Sequence, residues 1–122
     1  MPKEKIRSAE SDSAVPVIHV FELCGPMLGD GEHGLSIRHK WLEPMIGDGA
    51  KKIVIDFSGV ELATSSWLNA FIGGAILDHG FDLLKKIEFV GCNDVNRESI
   101  LIVIETIKLG STLRNPPPIF WR

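Results

Sequence analysis

Short apolar runs alternate with amphipathic segments along most of the chain. A β-branched and aromatic run at 17–23 alternates in polarity and is typical of a strand ending at Gly25. Apolar residues then recur at three- and four-residue spacing from Ser36 to about Gly47, which predicts a helix. A nearly continuous apolar run at 53–57 predicts a central strand covered on both faces.

The second half of the chain repeats this alternation. Residues 67–77 are apolar nearly all round and follow Ser65 and Ser66, so the pattern predicts a helix that these serines cap. The run at 87–90 predicts another short strand.

The segment 95–107 is ambiguous in composition. Its β-branched residues suit a strand, but its length and a capped start at Asn93 or Asp94 favour a helix. The order strand, helix, strand, helix, strand, helix predicts an α/β fold. We expect a central mixed or parallel sheet of about four strands with helices packed against it.

The ends of the chain differ in composition from its centre. Residues 1–14 are polar and charged and predict a flexible tail, whereas 15–110 form the domain. Residues 111–122 contain three consecutive prolines and predict an extended arm. Its Phe120 and Trp121 are costly to expose, so we expect the arm to fold back as a strap, with extension to another chain as the alternative.

Composition narrows the classes of function. The chain has 122 residues, 44% hydrophobic residues and a net charge of −3, which indicates one soluble domain without broad attraction to nucleic acid or anionic membranes. No signal-peptide or membrane-spanning stretch is visible, so a cytoplasmic location is expected. Cys24, Cys92 and the histidines lack metal-ligand spacing, and neither a metal nor a cofactor is predicted.

Glycines at positions 29, 31 and 34 reproduce the letters of a dinucleotide-binding fingerprint between a strand and a helix. Asp30, Glu32 and Pro26 depart from the usual tight turn, so nucleotide binding is not the favoured interpretation. It remains the best support for an alternative function, a small-molecule sensor for a nucleotide or flavin. Trp41 is predicted to be a core residue by its helical spacing.

The segment 53–72 resembles the central motif of STAS domains, the family of sulfate transporters and anti-sigma factor antagonists. In that motif an apolar strand ends in Asp, a small hydrophobic turn follows, and an Asp-Ser-Ser or similar tripeptide opens the next helix. Asp56, Val60 and 64–66 occupy these positions. The likeness is greater to a bacterial STAS-like group of unassigned function, whose upstream arginine matches Arg38.

The resemblance implies a regulatory function. Ser66 corresponds to the serine that a kinase of the histidine-kinase-like ATPase fold phosphorylates in anti-sigma factor antagonists, and Ser65 and Thr64 are further candidates. Thr64 stands where phosphorylated members usually carry Asp. The implied protein is a non-enzymatic interaction switch in bacterial signalling and transcription regulation. Its partner would be such an ATPase or an anti-sigma-type regulator.

The predicted partner surface is the start of this helix and the turn before it. It comprises Asp56, Ser58, Thr64, Ser65, Ser66, Trp67, Asn69 and Ala70. Arg38 and Val60 are assigned structural roles, and no catalytic residue is predicted. Three alternatives stay open: plain helix capping by the serines, a homodimer formed through the apolar helix, and a metal or catalytic role for Asp56 in place of accepting turn amides.

Overall fold

A computed structural model describes residues 15–110 and 117–122. Its strands are β1 (Val17–His19), β2 (Met27–Leu28), β3 (Ile53–Asp56), β4 (Leu62–Ala63), β5 (Ile87–Val90) and β6 (Phe120–Trp121). Its α-helices are α1 (Val20–Cys24), α2 (Gly31–Ile37), α3 (Glu43–Gly47), α4 (Ser65–Leu68), α5 (Gly74–His79) and α6 (Asp94–Leu109), and a 3₁₀ helix spans Phe81–Lys85.

Two π-helical turns make longer helices out of these pieces. Arg38–Leu42 joins α2 to α3, and Asn69–Gly73 joins α4 to α5. Residues 31–47 are therefore called the first long helix and residues 65–79 the second long helix.

The main sheet has four strands in the order β1, β3, β5, β6, all pairing in parallel. Because the strands follow chain order and parallel crossovers are right-handed, the helices between them lie on one face. The row of side chains on that face consists of Ile18, Ile55, Phe89 and Trp121, in register. The predicted α/β fold, with helices packed on a parallel sheet, is confirmed.

An aromatic cluster joins the second long helix to the sheet. Trp67 stacks on Phe71 with ring centroids 4.8 Å apart, and meets Phe57 edge-on at 6.4 Å. All three side chains are fully buried. Such pairs contribute about 0.5–1.5 kcal/mol each beyond the area they bury.

The predicted first strand is too long. β1 ends at His19, and Val20–Cys24 forms a helical turn. The pattern of alternating β-branched residues does not show this turn, because propensity is a weak guide where tertiary contacts decide. Trp41 is also misassigned, since 36% of its surface is exposed.

The first long helix begins at Gly31 and not near Ser36. Asp30 is its cap, because the Asp30 carboxylate accepts a hydrogen bond from the Glu32 amide at 2.9 Å. Glycines disfavour a helix, so the sequence pattern placed them in a turn.

In the C-terminal half of the chain, the structure agrees better with the elements predicted from the sequence. The helix predicted over 95–107 is confirmed as α6, and Asn93 caps it by accepting a hydrogen bond from the Asn96 amide at 2.8 Å. The end of the chain folds back and supplies the edge strand β6, which the pattern did not predict as a strand. The predicted tail at 1–14 and the arm residues 111–116 lie outside the described residues.

Candidate functional site

The second long helix is capped by Thr64. This residue has extended backbone angles, and its hydroxyl accepts a hydrogen bond from the Trp67 amide at 3.3 Å. The same hydroxyl donates to the Gly29 carbonyl at 3.3 Å. The prediction that Ser65 and Ser66 cap the helix is therefore wrong by one residue, and the fold already uses the Thr64 hydroxyl.

Ser65 and Ser66 occupy the first two helical positions and are exposed. Within 15–110 and 117–122, neither serine side chain has a hydrogen-bond partner. The amides of a first helical turn lack intrahelical acceptors, and the helix dipole is positive there. Both hydroxyls are thus accessible at a position that tolerates negative charge.

The first long helix begins beside these serines. A β-carbon on Gly31 would lie 3.3 Å from the Ser66 carbonyl oxygen, and one on Gly34 only 2.5 Å from the Trp67 carbonyl oxygen. The two backbones come this close because glycine has no side chain. Helix packing therefore accounts for Gly31 and Gly34 without a bound nucleotide, whereas a β-carbon on Gly29 would meet nothing within 4 Å.

Asp56 organises the turn after β3. One carboxylate oxygen accepts a hydrogen bond from the Ser58 amide at 2.9 Å, and the other lies 3.4 Å from Nδ1 of His19. Partial burial raises the pKa of Asp56, but the hydrogen bonds from Ser58 and the nearby His19 outweigh it and hold the pKa below 3.8. Accepting the turn amide was the structural role expected from the sequence.

A buried amide fixes the segment that leads to Thr64. Asn96 is fully buried; its oxygen accepts a hydrogen bond from the Ala63 amide at 2.9 Å, and its nitrogen donates to the Val60 carbonyl at 3.1 Å. Sequence reasoning missed this role. The signal was spacing, because Asn96 falls on the helix face of Ile100 and Val103, which are buried.

Replacing Asn96 with alanine is expected to destabilise the protein by about 3 kcal/mol, because the Ala63 amide and the Val60 carbonyl would each lose a buried partner worth roughly 1–3 kcal/mol. Urea unfolding measures this as a lower midpoint at unchanged slope. The control is Asn69→Ala, since Asn69 is exposed. Equal stability of the two variants would contradict the assigned role of Asn96.

The predicted partner residues differ in accessibility. Ser58, Ser65, Ser66 and Asn69 are exposed, and Asp56, Thr64 and Ala70 are partly buried. Trp67 has no exposed surface, so its assignment to a partner surface is wrong: its ring fills the core. Val60 is a core residue, 4% exposed.

Exposed apolar side chains lie on β2, β4 and α6, of which β4 directly precedes Thr64 and α6 packs against α4. Met27 pairs with Leu62 across the β2–β4 ribbon, and they are 58% and 37% exposed. Val95 is 56% exposed and lies on the first turn of α6. It is next to Asn96, whose side chain binds the Ala63 amide of β4. The buried residues of the second long helix are Trp67, Leu68, Phe71, Ile72, Gly73, Ala75 and Ile76, whereas Leu77 is 70% exposed.

Arg38 joins the two long helices from inside. Only 7% of its surface is exposed; its Nε donates to Glu43 at 2.8 Å and its Nη2 pairs with Asp78. The second Glu43 oxygen lies 2.8 Å from Nε2 of His79. Burial raises the pKa of Glu43, but the hydrogen bonds from Arg38 and His79 outweigh it and leave the pKa below 4.5.

Neither an activated Cys92 thiol nor a metal-binding cluster occurs in the described ranges. Burial raises the pKa of the Cys92 thiol to about 11, so it stays protonated and unreactive near neutral pH. Across 15–110 and 117–122, no group of three or more metal-binding side chains occurs. In the same ranges, no helix combines the length and the apolar character needed to cross a membrane.

Comparison with protein families agrees with this geometry. A model described as a STAS-like domain of unknown function matches residues 33–97, more than half of the chain. The chain belongs to this STAS-like family. The matched region contains β3, β5, the second long helix and the serine pair, and it begins inside the first long helix. Searches of curated proteins and of solved structures gave no match.

Proposed function

We propose that this STAS-like protein is a non-enzymatic protein-interaction switch in signalling or transcription regulation, and that phosphorylation of Ser66 controls it. The observation that carries the proposal is the pair of exposed, unengaged hydroxyls at Ser65 and Ser66, directly beyond a cap that Thr64 already provides. Modification of either serine costs no hydrogen bond of the fold.

The surroundings of the serines suit a protein partner. Met27, Leu62 and Val95 are exposed apolar side chains, and Met27 pairs with Leu62 on the strand that directly precedes Thr64. Interfaces combine such apolar contacts with a few polar groups. Asn96 and Thr64 hold the connecting segment in place, so the surface is preorganised and loses little entropy on binding.

The partner we propose is an ATPase of the histidine-kinase-like fold. In the transfer step, the Ser66 oxygen bonds to the γ-phosphorus of ATP while the bond from that phosphorus to the β,γ-bridging oxygen breaks. ADP leaves, and a base on the partner takes the hydroxyl proton. The phosphate adds about −1.5 to −2 charge units. The free amides of the first turn stabilise it locally, whereas a closely packed partner must desolvate it, so the complex dissociates.

The test uses the full chain and purified ATPases of this fold encoded near its gene, with ATP and Mg²⁺. We expect a complex in the absence of ATP and, with ATP, a mass gain of one phosphoryl group on Ser66. Ser66→Ala should abolish the mass gain, and Ser66→Glu should weaken the complex about tenfold or more, equivalent to roughly 1.4 kcal/mol.

Ser36→Ala is the matched control, because Ser36 is also an exposed helical serine but is not one of the residues of the proposed surface. It should leave both binding and phosphorylation unchanged. Absence of any complex with these ATPases, or phosphorylation that persists in Ser66→Ala, would refute the proposal.

A further inference from the structure

Two lysine pairs lie at the edge of the sheet where β3 and β5 begin. Lys51–Lys52 directly precede β3, and Lys85–Lys86 directly precede β5. The parallel register aligns Ile53 with Ile87, and the Ile53 amide donates to the Lys86 carbonyl at 2.7 Å. Neighbouring strands lie about 4.8 Å apart. The topology therefore brings the two pairs side by side, at the sheet edge opposite Ser66.

The four lysines surround a cavity of about 230 Å³. Its walls are Lys51, Lys52, Lys85, Lys86, Ile87, Glu88 and Phe120. Four of the lining residues are lysines and one is a glutamate, so basic side chains outnumber acidic ones here, although the whole chain has a net charge of −3. The charge of this pocket is thus opposite to that of the protein.

The carboxylates nearby balance only part of this charge. Glu88 pairs with Lys52 at 3.1 Å, and Asp82 with Lys85 at 3.4 Å. In the part of the chain that the structure describes, Lys51 and Lys86 have no carboxylate within ion-pair distance. The charges of these two lining lysines are therefore uncompensated.

Clustered like charges destabilise a folded protein unless a counter-ion joins them. We propose that this cavity binds a compact anion carrying at least two phosphate groups. Its volume is below the roughly 300–1,000 Å³ of sites that hold drug-sized molecules, so it suits the phosphate groups alone. Phe120, 47% exposed, offers an apolar contact at the rim to the remainder of the ligand.

Titration calorimetry of the full chain with inorganic pyrophosphate tests this proposal. At low ionic strength we expect saturable binding at one site that weakens steeply as salt is added. The double variant Lys51→Gln/Lys86→Gln should raise Kd by about tenfold or more, because it removes both uncompensated charges. Thermal unfolding checks that the variant is folded.

The matched control is Lys40→Gln/Lys108→Gln, which makes the same change in net charge away from the cavity and should leave Kd within about twofold. Vesicles bearing a bisphosphorylated inositol lipid, compared with phosphatidylcholine vesicles, distinguish the ligand source. Lysine-dependent binding to pyrophosphate supports a free ligand, and lysine-dependent binding to these vesicles alone supports a lipid headgroup.

Three results would overturn the proposal. These are binding to neither probe, equal weakening in both double variants, and binding to duplex DNA with no response to pyrophosphate. Ser66→Ala should leave pyrophosphate binding unchanged, so this result is independent of the function proposed for the serines.

Discussion

Replacing Gly34 with alanine is expected to destabilise the protein by about 3 kcal/mol, the upper end of the cost of overpacking. The added β-carbon would lie 2.5 Å from the Trp67 carbonyl oxygen, well inside van der Waals contact. The obstacle is the backbone of Trp67, a buried residue of the second long helix, so no side-chain rotation relieves it. The two long helices must separate, and the aromatic contacts of Trp67 must loosen.

Urea unfolding and thermal denaturation measure this effect, the latter as a fall in Tm of roughly 10 °C or more. The matched control is Gly47→Ala, also at a helical glycine, where a β-carbon meets nothing within 4 Å. That substitution should be neutral or stabilising by about 0.5–1 kcal/mol through the better helix propensity of alanine. If both variants unfold at the same denaturant concentration, close approach of the helices is not what Gly34 provides.

The start of the helix that contains Gly31 and Gly34 was not predictable from the sequence, unlike several other elements. β3, β5 and α6 were predictable because each is a local pattern: an apolar run of strand length, or a capped segment of helical length. Gly31 and Gly34 carry no local helix signal. Their helix packs closely against the backbone of Ser66 and Trp67. A tertiary contact of this kind leaves no pattern in the local sequence.

The residues of the candidate site could be named from the sequence, but the structural role of each hydroxyl could not. Thr64, Ser65 and Ser66 are consecutive hydroxyl residues, and each is a good cap by type. Only the backbone angles show that Thr64 caps and the serines remain unengaged. The edge strand β6 was not predictable for a similar reason, since it contains two residues and depends on pairing with β5.

Removing the two carboxylates around Arg38 is expected to cost more stability than removing Arg38 itself. The Arg38 side chain is 8% exposed, whereas those of Glu43 and Asp78 are 24% and 62% exposed. Glu43→Gln/Asp78→Asn leaves a buried cation without a counter-charge, which costs roughly 3–5 kcal/mol. Arg38→Met leaves carboxylates that reach water, and we expect a loss of about 1–2 kcal/mol. The triple variant, which combines Arg38→Met with Glu43→Gln and Asp78→Asn, should be more stable than the double variant, because it no longer contains an unpaired buried cation.

The ion pairs of Arg38 with Glu43 and Asp78 also make the free energy of unfolding depend on pH, and the direction of this dependence follows from the pKa of Glu43. The pKa of Glu43 is lower in the folded protein than its usual 4.5, so the folded state holds fewer protons here than the unfolded chain near that pH. The stabilisation is fully present above about pH 4.5 and is lost as the pH falls through the folded-state pKa. Unfolding free energies measured from pH 7 down to pH 3 should fall less steeply for Glu43→Gln than for the unmodified protein.

Asp82→Asn is the matched control for the loss of a carboxylate, because Asp82 pairs with Lys85 on the surface, where the two side chains are 86% and 63% exposed. Exposed pairs contribute about 0–1 kcal/mol, so this variant should be nearly neutral. The stability of the double variant relative to Arg38→Met shows whether charge pairing or packing of the Arg38 side chain joins the helices. A double variant no less stable than Arg38→Met would mean that water already reaches the Arg38 guanidinium, and that packing of its side chain, rather than charge pairing, joins the two long helices.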